Sequence, residues 1–109
     1  MLHLVQPPAS IDARIRLAIA NKRLVEVGYK GRVRVAESHD YGKQKGIDRL
    51  LVYQLRAPSS SGRDATGWRL FDVAKIESLE VLDTVFKGSR RKAGQEHHVW
   101  DVLYARVEG

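Results

Sequence analysis

Two short apolar runs, LLVYQL at residues 50–55 and WRLF at 68–71, flank a tract rich in Ser, Gly and Asp. No other feature of the chain constrains its fold as strongly. A polar, glycine-bearing tract between two strand-like runs is a turn signal, so residues 48–76 predict a β-hairpin. In the first run Leu51, Tyr53 and Leu55 alternate with Leu50 and Val52, which makes it apolar on both faces. That suits a central strand. Arg49, Gln54, Arg56 and Arg69 lie within or beside these runs, where a rigid sheet holds side chains more closely than a loop does. A binding site in this chain is therefore expected on the sheet.

Around this hairpin the remaining elements can be placed in order. Residues 1–9 form a lead-in stiffened by Pro7 and Pro8. Ser10 supplies a capping hydroxyl, Asp12 an acid in the first turn, and Ile11, Ile15, Ala18 and Ile19 an apolar stripe, so a helix is expected from Ser10 to Asn21. Its stripe points to a packing role over a sheet rather than to a DNA-contacting one. Residues 24–28 and 32–36 predict a second hairpin. A three-residue loop of Tyr29, Lys30 and Gly31 would set Val27 against Val33, whereas a two-residue loop would set it against Arg34; the cost of burying an arginine favours the first. In that register Arg32 and Arg34 share the outer face with Glu26. The segment ESHDYGKQKGI at 37–47 is expected to be a polar loop, with Tyr41 the aromatic best placed to reach a ligand and Lys43 and Lys45 able to turn toward a phosphate. It lacks the spacing of a P-loop, and a solvated turn is its plainer reading. Asp72 begins a single helical turn, and residues 76–82 form the last strand, with Leu79 and Val81 inward. Residues 87–95, KGSRRKAGQ, are expected to be a basic linker or mobile tail, with residues 99–107 expected as a short helix because Val99, Trp100, Val102, Leu103 and Val107 share one arc. Trp100, Leu103 and Val107 would leave an exposed apolar patch unless docked on the same domain or on a second copy.

Composition narrows the function classes. At 109 residues the chain holds one domain, and 19 Lys and Arg against 13 Asp and Glu give it a formal charge of +6. A positive field suits anionic partners, although it also serves solubility. There is no Cys, so disulfides and thiolate metal sites are excluded. No run of about 18 apolar residues is present and the N-terminus lacks the plan of a signal peptide, so a cytoplasmic protein without membrane contact is expected. His97 and His98 would diverge on a helix, with His3 and His39 distant in sequence, so no metal site is expected. Neither a G-x-S-x-G elbow nor an H-E-x-x-H pair occurs, and the chain is expected to be neither an enzyme nor a cofactor carrier.

The run LLVYQL followed by a polar loop and WRLFDVAKIESLEVLDTVF, with IRLAIANKRLVEVGYKGRVRV upstream, resembles the WYL domain family over residues 11–86. Leu51 or Val52 stands where that family has its Trp, Gln54 follows Tyr53 in place of Leu, and no Pro follows Arg34. The resemblance implies a mainly β (α+β) protein: a small SH3-like or Sm-like five-stranded antiparallel barrel over residues 10–86, opened by the helix and followed by the segment 87–109. It also implies a stand-alone sensing or regulatory module of the kind found in bacterial transcription regulators, taking an anionic ligand such as single-stranded nucleic acid or a nucleotide, or acting through a partner regulator. Arg34 and Arg69 match the family's basic ligand-facing positions and Tyr53 its motif Tyr. Arg32, Arg49, Lys43, Lys45 and Tyr41 are added from the chain's own pattern. The competing reading is a protein-interaction or self-assembling module with no small ligand. Convergence of Arg32, Arg34, Arg49 and Arg69 would favour the first, and their dispersal into ion pairs with Glu26, Asp48 and Asp72 the second.

Overall fold

The computed structural model describes residues 10–56, 66–91 and 99–109. The lead-in at 1–9, the Ser/Gly tract at 57–65, Lys92 and the His97–His98 pair lie outside the described residues. Helix α1, Ile11–Ala20, starts as expected: the Ser10 hydroxyl accepts from the Ala13 amide at 3.0 Å, and Ile15, Ala18 and Ile19 are buried. Six strands follow: β1 (Arg23–Tyr29), β2 (Arg32–Gln44), β3 (Ile47–Arg56), β4 (Gly67–Asp72), β5 (Ser78–Val85) and β6 (Val102–Arg106), with a 3-10 turn at Val73–Lys75 before β5. All pairings are antiparallel, in the order β4-β3-β2-β1-β5, with β6 added to β2. Among the described residues β4 and β5 do not pair, so the sheet is open where a closed five-stranded barrel was expected. No helix among them is long and apolar enough to cross a membrane.

The β1–β2 hairpin corrects the expected register. Lys30 and Gly31 both have positive φ, 52° and 74°, the conformation of a two-residue hairpin turn, and Val27 stands opposite Arg34. The burial that argued against this pairing is only partial, because the long stem of half-buried Arg34 carries its guanidinium to acceptors at Gln54 Oε1 and the Tyr29 carbonyl. A lysine in the left-handed region is strained where Asn is tolerated. Lys30→Asn is therefore expected to raise stability by roughly 0.5 kcal/mol, read as a higher urea midpoint at unchanged slope.

The 37–47 segment is strand rather than loop. β2 runs through to Gln44 and turns into β3 over Lys45 and Gly46, again both at positive φ. Its polarity was misleading because Glu37, Ser38, His39 and Asp40 are buried, and all but Ser38 meet partners from distant parts of the chain. Irregular pairing between Ser38 and Asp40 bends the strand, and its edge changes partner there. Residues 32–37 pair with β1, whereas residues 40–43 pair with β6.

That second half of β2 also explains why residues 99–107 are not helical. β1 ends before it, leaving a row of backbone groups to be satisfied, and Val102–Arg106 fills the edge as a strand. Asp101 stays outside the strand, and its carboxylate accepts from the Lys45 amide at 2.6 Å. The C-terminal segment thus docks on its own domain, although Val99, Val102 and Leu103 remain exposed. Nor are residues 87–91 a free linker, since Arg90 and Arg91 are tied to Glu37 and Asp40.

The sheet packs on both faces. The inner face carries Val25, Val27, Ala36, Tyr41, Leu50, Val52, Phe71 and Leu79 in one cluster with α1 and Val107. Antiparallel register places Glu37, Tyr53 and Trp68 together on the outer face. There the segment 86–91 lies over them, with Phe86 stacked on His39 at 5.9 Å between centroids and Arg90 over the Tyr53 ring at 4.1 Å.

Candidate anion-binding site

Arginines gather at the end of the inner face where the β1–β2 turn meets the far ends of β3 and β4. Register explains how: Arg34 is opposite Val27, Gln54 opposite Ala36, and Arg69 opposite Val52, so all three share the inner face. Arg32, two residues before Arg34, points to the same side. The Arg34 guanidinium donates to Gln54 Oε1 at 3.1 Å and to the Tyr29 carbonyl at 3.2 Å, and lies over the Tyr29 and Phe71 rings at 5.7 and 5.5 Å. Two aromatic faces and two acceptors thus fix its plane.

The electrostatics of this group are unusual for an arginine. Burial, and then the neighbouring charges of Arg32 and Arg69, push the Arg34 guanidinium below its ordinary proton affinity. Arg32 and Arg34 make no ion pair with a carboxylate among the described residues. Arg69 donates to the Trp68 carbonyl at 2.8 Å. Guanidinium groups held close together without a paired carboxylate at Arg34 form a place where an anion would relieve repulsion and accept several charge-assisted hydrogen bonds.

The other expected residues are elsewhere. Lys43, Lys45 and Arg49 lie at the opposite end of β2 and β3, roughly 30 Å of strand from Arg34 at the usual rise per residue. Arg49 is engaged by Asp72 at 3.2 Å and Gln44 at 3.2 Å. Tyr41 does not reach out: it is 2% exposed and its hydroxyl donates to Asp12 at 2.7 Å, and burial, followed by that bond, raises the phenol's proton affinity well above normal. Tyr53 is on the outer face, edge-on to Trp68 and covered by Arg90. Arg34, Arg69 and Arg32 are therefore brought together, and the remaining five are not.

Three residues of the site escaped the sequence reading as site residues: Gln54, Tyr29 and Phe71. Gln54 carried a signal, since a polar side chain falls on the same face as Leu50 and Val52 and is fully buried there. No family model, curated protein or solved structure matches this chain.

Proposed function

We propose that this is a non-enzymatic, WYL-like module whose strongly bent, SH3-like sheet binds the phosphate of single-stranded nucleic acid or of a nucleotide, in the cytoplasm, as part of a regulatory response. The observation that carries the reading is the Arg34 guanidinium: oriented by Tyr29, Phe71 and Gln54, crowded by Arg32 and Arg69, and without a carboxylate partner among the described residues. A guanidinium offers a planar fork to phosphate oxygens, which an ammonium cannot reproduce. The net charge of +6 would add long-range attraction.

The test is an anisotropy titration with labelled single-stranded DNA, single-stranded RNA and a nucleotide at two salt concentrations. Arg34→Lys or Arg69→Lys is expected to weaken binding about tenfold although charge is kept, equivalent to about 1.4 kcal/mol. Lys43→Ala with Lys45→Ala, at the far end of the sheet, should change affinity less than threefold. Binding indifferent to Arg34 would overturn the assignment. A second reading, a protein-interaction module with no small ligand, is favoured by the Arg49–Asp72 pair and by exposed Val99, Val102 and Leu103 along β6. Concentration-dependent mass in sedimentation without any anion binding would select it.

A further inference from the structure

His39 is 0% exposed, and its contacts fix both its tautomer and its charge. Nδ1 lies 2.9 Å from the Glu37 carbonyl oxygen, which can only accept, so Nδ1 carries the hydrogen. The backbone amide of Arg90 donates to Nε2 at 3.1 Å, so Nε2 must be bare. The ring is therefore neutral, and it forms one of the anchors of the segment 86–91. Others are the Phe86 amide donating to the Lys22 carbonyl at 2.8 Å, the Arg90 pair with Glu37, the Arg91 pair with Asp40 at 2.7 Å, and the ring contact of Phe86 with His39.

Charged groups face the imidazole from every side. Glu37 and Asp40 come from its own strand, Arg90 and Arg91 from the covering segment, and Arg106 of β6 joins through Asp40. Trp68 of β4 meets the ring edge-on at 4.7 Å. The Arg91 charge disfavours a proton on the ring, the Glu37 and Asp40 charges favour one, and burial outweighs them. A proton on Nε2 would set two N–H donors against each other at the Arg90 amide.

We propose that the segment 86–91 is a pH-sensitive latch, closed over Tyr53 and Trp68 while His39 is neutral and released when His39 takes a proton. Opening removes the Arg90 guanidinium from the Tyr53 ring and the Arg91 guanidinium from the Trp68 ring, uncovering an aromatic pair on the outer face. The direction of the linkage follows from burial, which, with Arg91 nearby, holds the proton affinity of His39 below that of a free imidazole. The closed state is thus fully stable above about pH 6.5, the ordinary value of a solvated histidine, and weakens as pH falls through the folded value. Asp40, whose carboxyl is held below the usual carboxylate range, stays ionised through that window, so its pairs with Arg91 and Arg106 do not cause the change.

Nuclear magnetic resonance of the full chain between pH 7.5 and 4.5 tests this. The His39 ring should titrate below the usual histidine range, with the Arg90 amide and the Trp68 indole resonances moving at the same midpoint. The amides of Val27 and Leu50 should stay native through it. His39→Gln keeps an acceptor that cannot titrate, and should abolish the movement of the Arg90 and Trp68 signals. An Arg90 amide unaffected by the ring's titration would overturn the latch. So would a transition that persists in His39→Gln, or one in which Val27 and Leu50 lose native signals together with Arg90.

Discussion

Asp40→Ala is expected to destabilise the protein by about 3–5 kcal/mol, the range for breaking a buried ion pair from one side. Asp40 is 0% exposed and accepts from Arg91 at 2.7 Å, from Arg106 at 3.0 and 3.1 Å, and from the Trp100 indole at 3.0 Å. Arg91 is itself only 5% exposed, and its Nη1 has no hydrogen-bond partner among the described residues. Removing the carboxylate leaves that guanidinium buried without its counter-ion and takes the Asp40 acceptor from three further N–H groups, Nε and Nη2 of Arg106 and the Trp100 indole. Asp40→Asn retains an acceptor and the shape, so it should cost less than Ala while still losing the charge. Urea denaturation of both variants checks the order. Burial pushes the Asp40 carboxyl up, but the hydrogen bonds from Arg106 and Trp100 and the charge of Arg91 outweigh it and leave it below the usual carboxylate range. Its contribution is then present above about pH 3.8 and is lost as pH falls through the lower folded value. The Asn variant should lack that part of the acid-unfolding profile.

What the sequence discloses here depends on the range of the interaction that decides each element. α1 is fixed within its own residues, by the Ser10 cap and the stripe of Ile15, Ala18 and Ile19. The β3–β4 hairpin is equally local in its pattern, and Tyr53 does oppose Trp68. By contrast, residues 37–40 take their environment from residues 90, 91, 100 and 106. A strand stabilised by burying Glu, His and Asp against remote arginines is indistinguishable, read alone, from a solvated loop. The same separation conceals β6, whose residues choose a strand only because β2 offers an unpaired edge. For the site, the resemblance pointed to Arg34 and Arg69 and their convergence is visible, yet the reason assigned to Arg34 was wrong. It lies on the inner face, at the end of the core, rather than opposite it. Lys43, Lys45 and Arg49 were grouped with it by charge alone, and charge carries no register.

Removing residues 99–109 is expected to be the other severe change, with a net loss of about 3 kcal/mol or more, a large share of a small domain's stability. Three separate structures depend on that segment. Asp40 would lose Arg106 and Trp100, leaving a buried carboxylate with one of the four hydrogen bonds described here, that from Arg91. The far half of β2 would lose its backbone partners along one edge, from Asp40 to Lys43. The inner cluster would lose Val107, and Tyr41 its edge contact with Tyr104 at 4.9 Å. The entropy regained by not ordering the segment offsets part of this, so a milder lesion at the same seam separates docking from chain length. Gly42 serves that purpose. A Cβ there would press into the Val102 carbonyl and stand 2.8 Å from Trp100 Cε3, because β6 crosses close over it. Gly42→Ala should push β6 and Trp100 outward at a cost of about 1–3 kcal/mol, the usual range for overpacking. Since the Trp100 indole is held by Asp40, its displacement should appear as a change in Trp emission before unfolding. A truncated chain with an unchanged urea midpoint, or a Gly42→Ala variant with native emission and stability, would show that β6 lies on the sheet without supporting it.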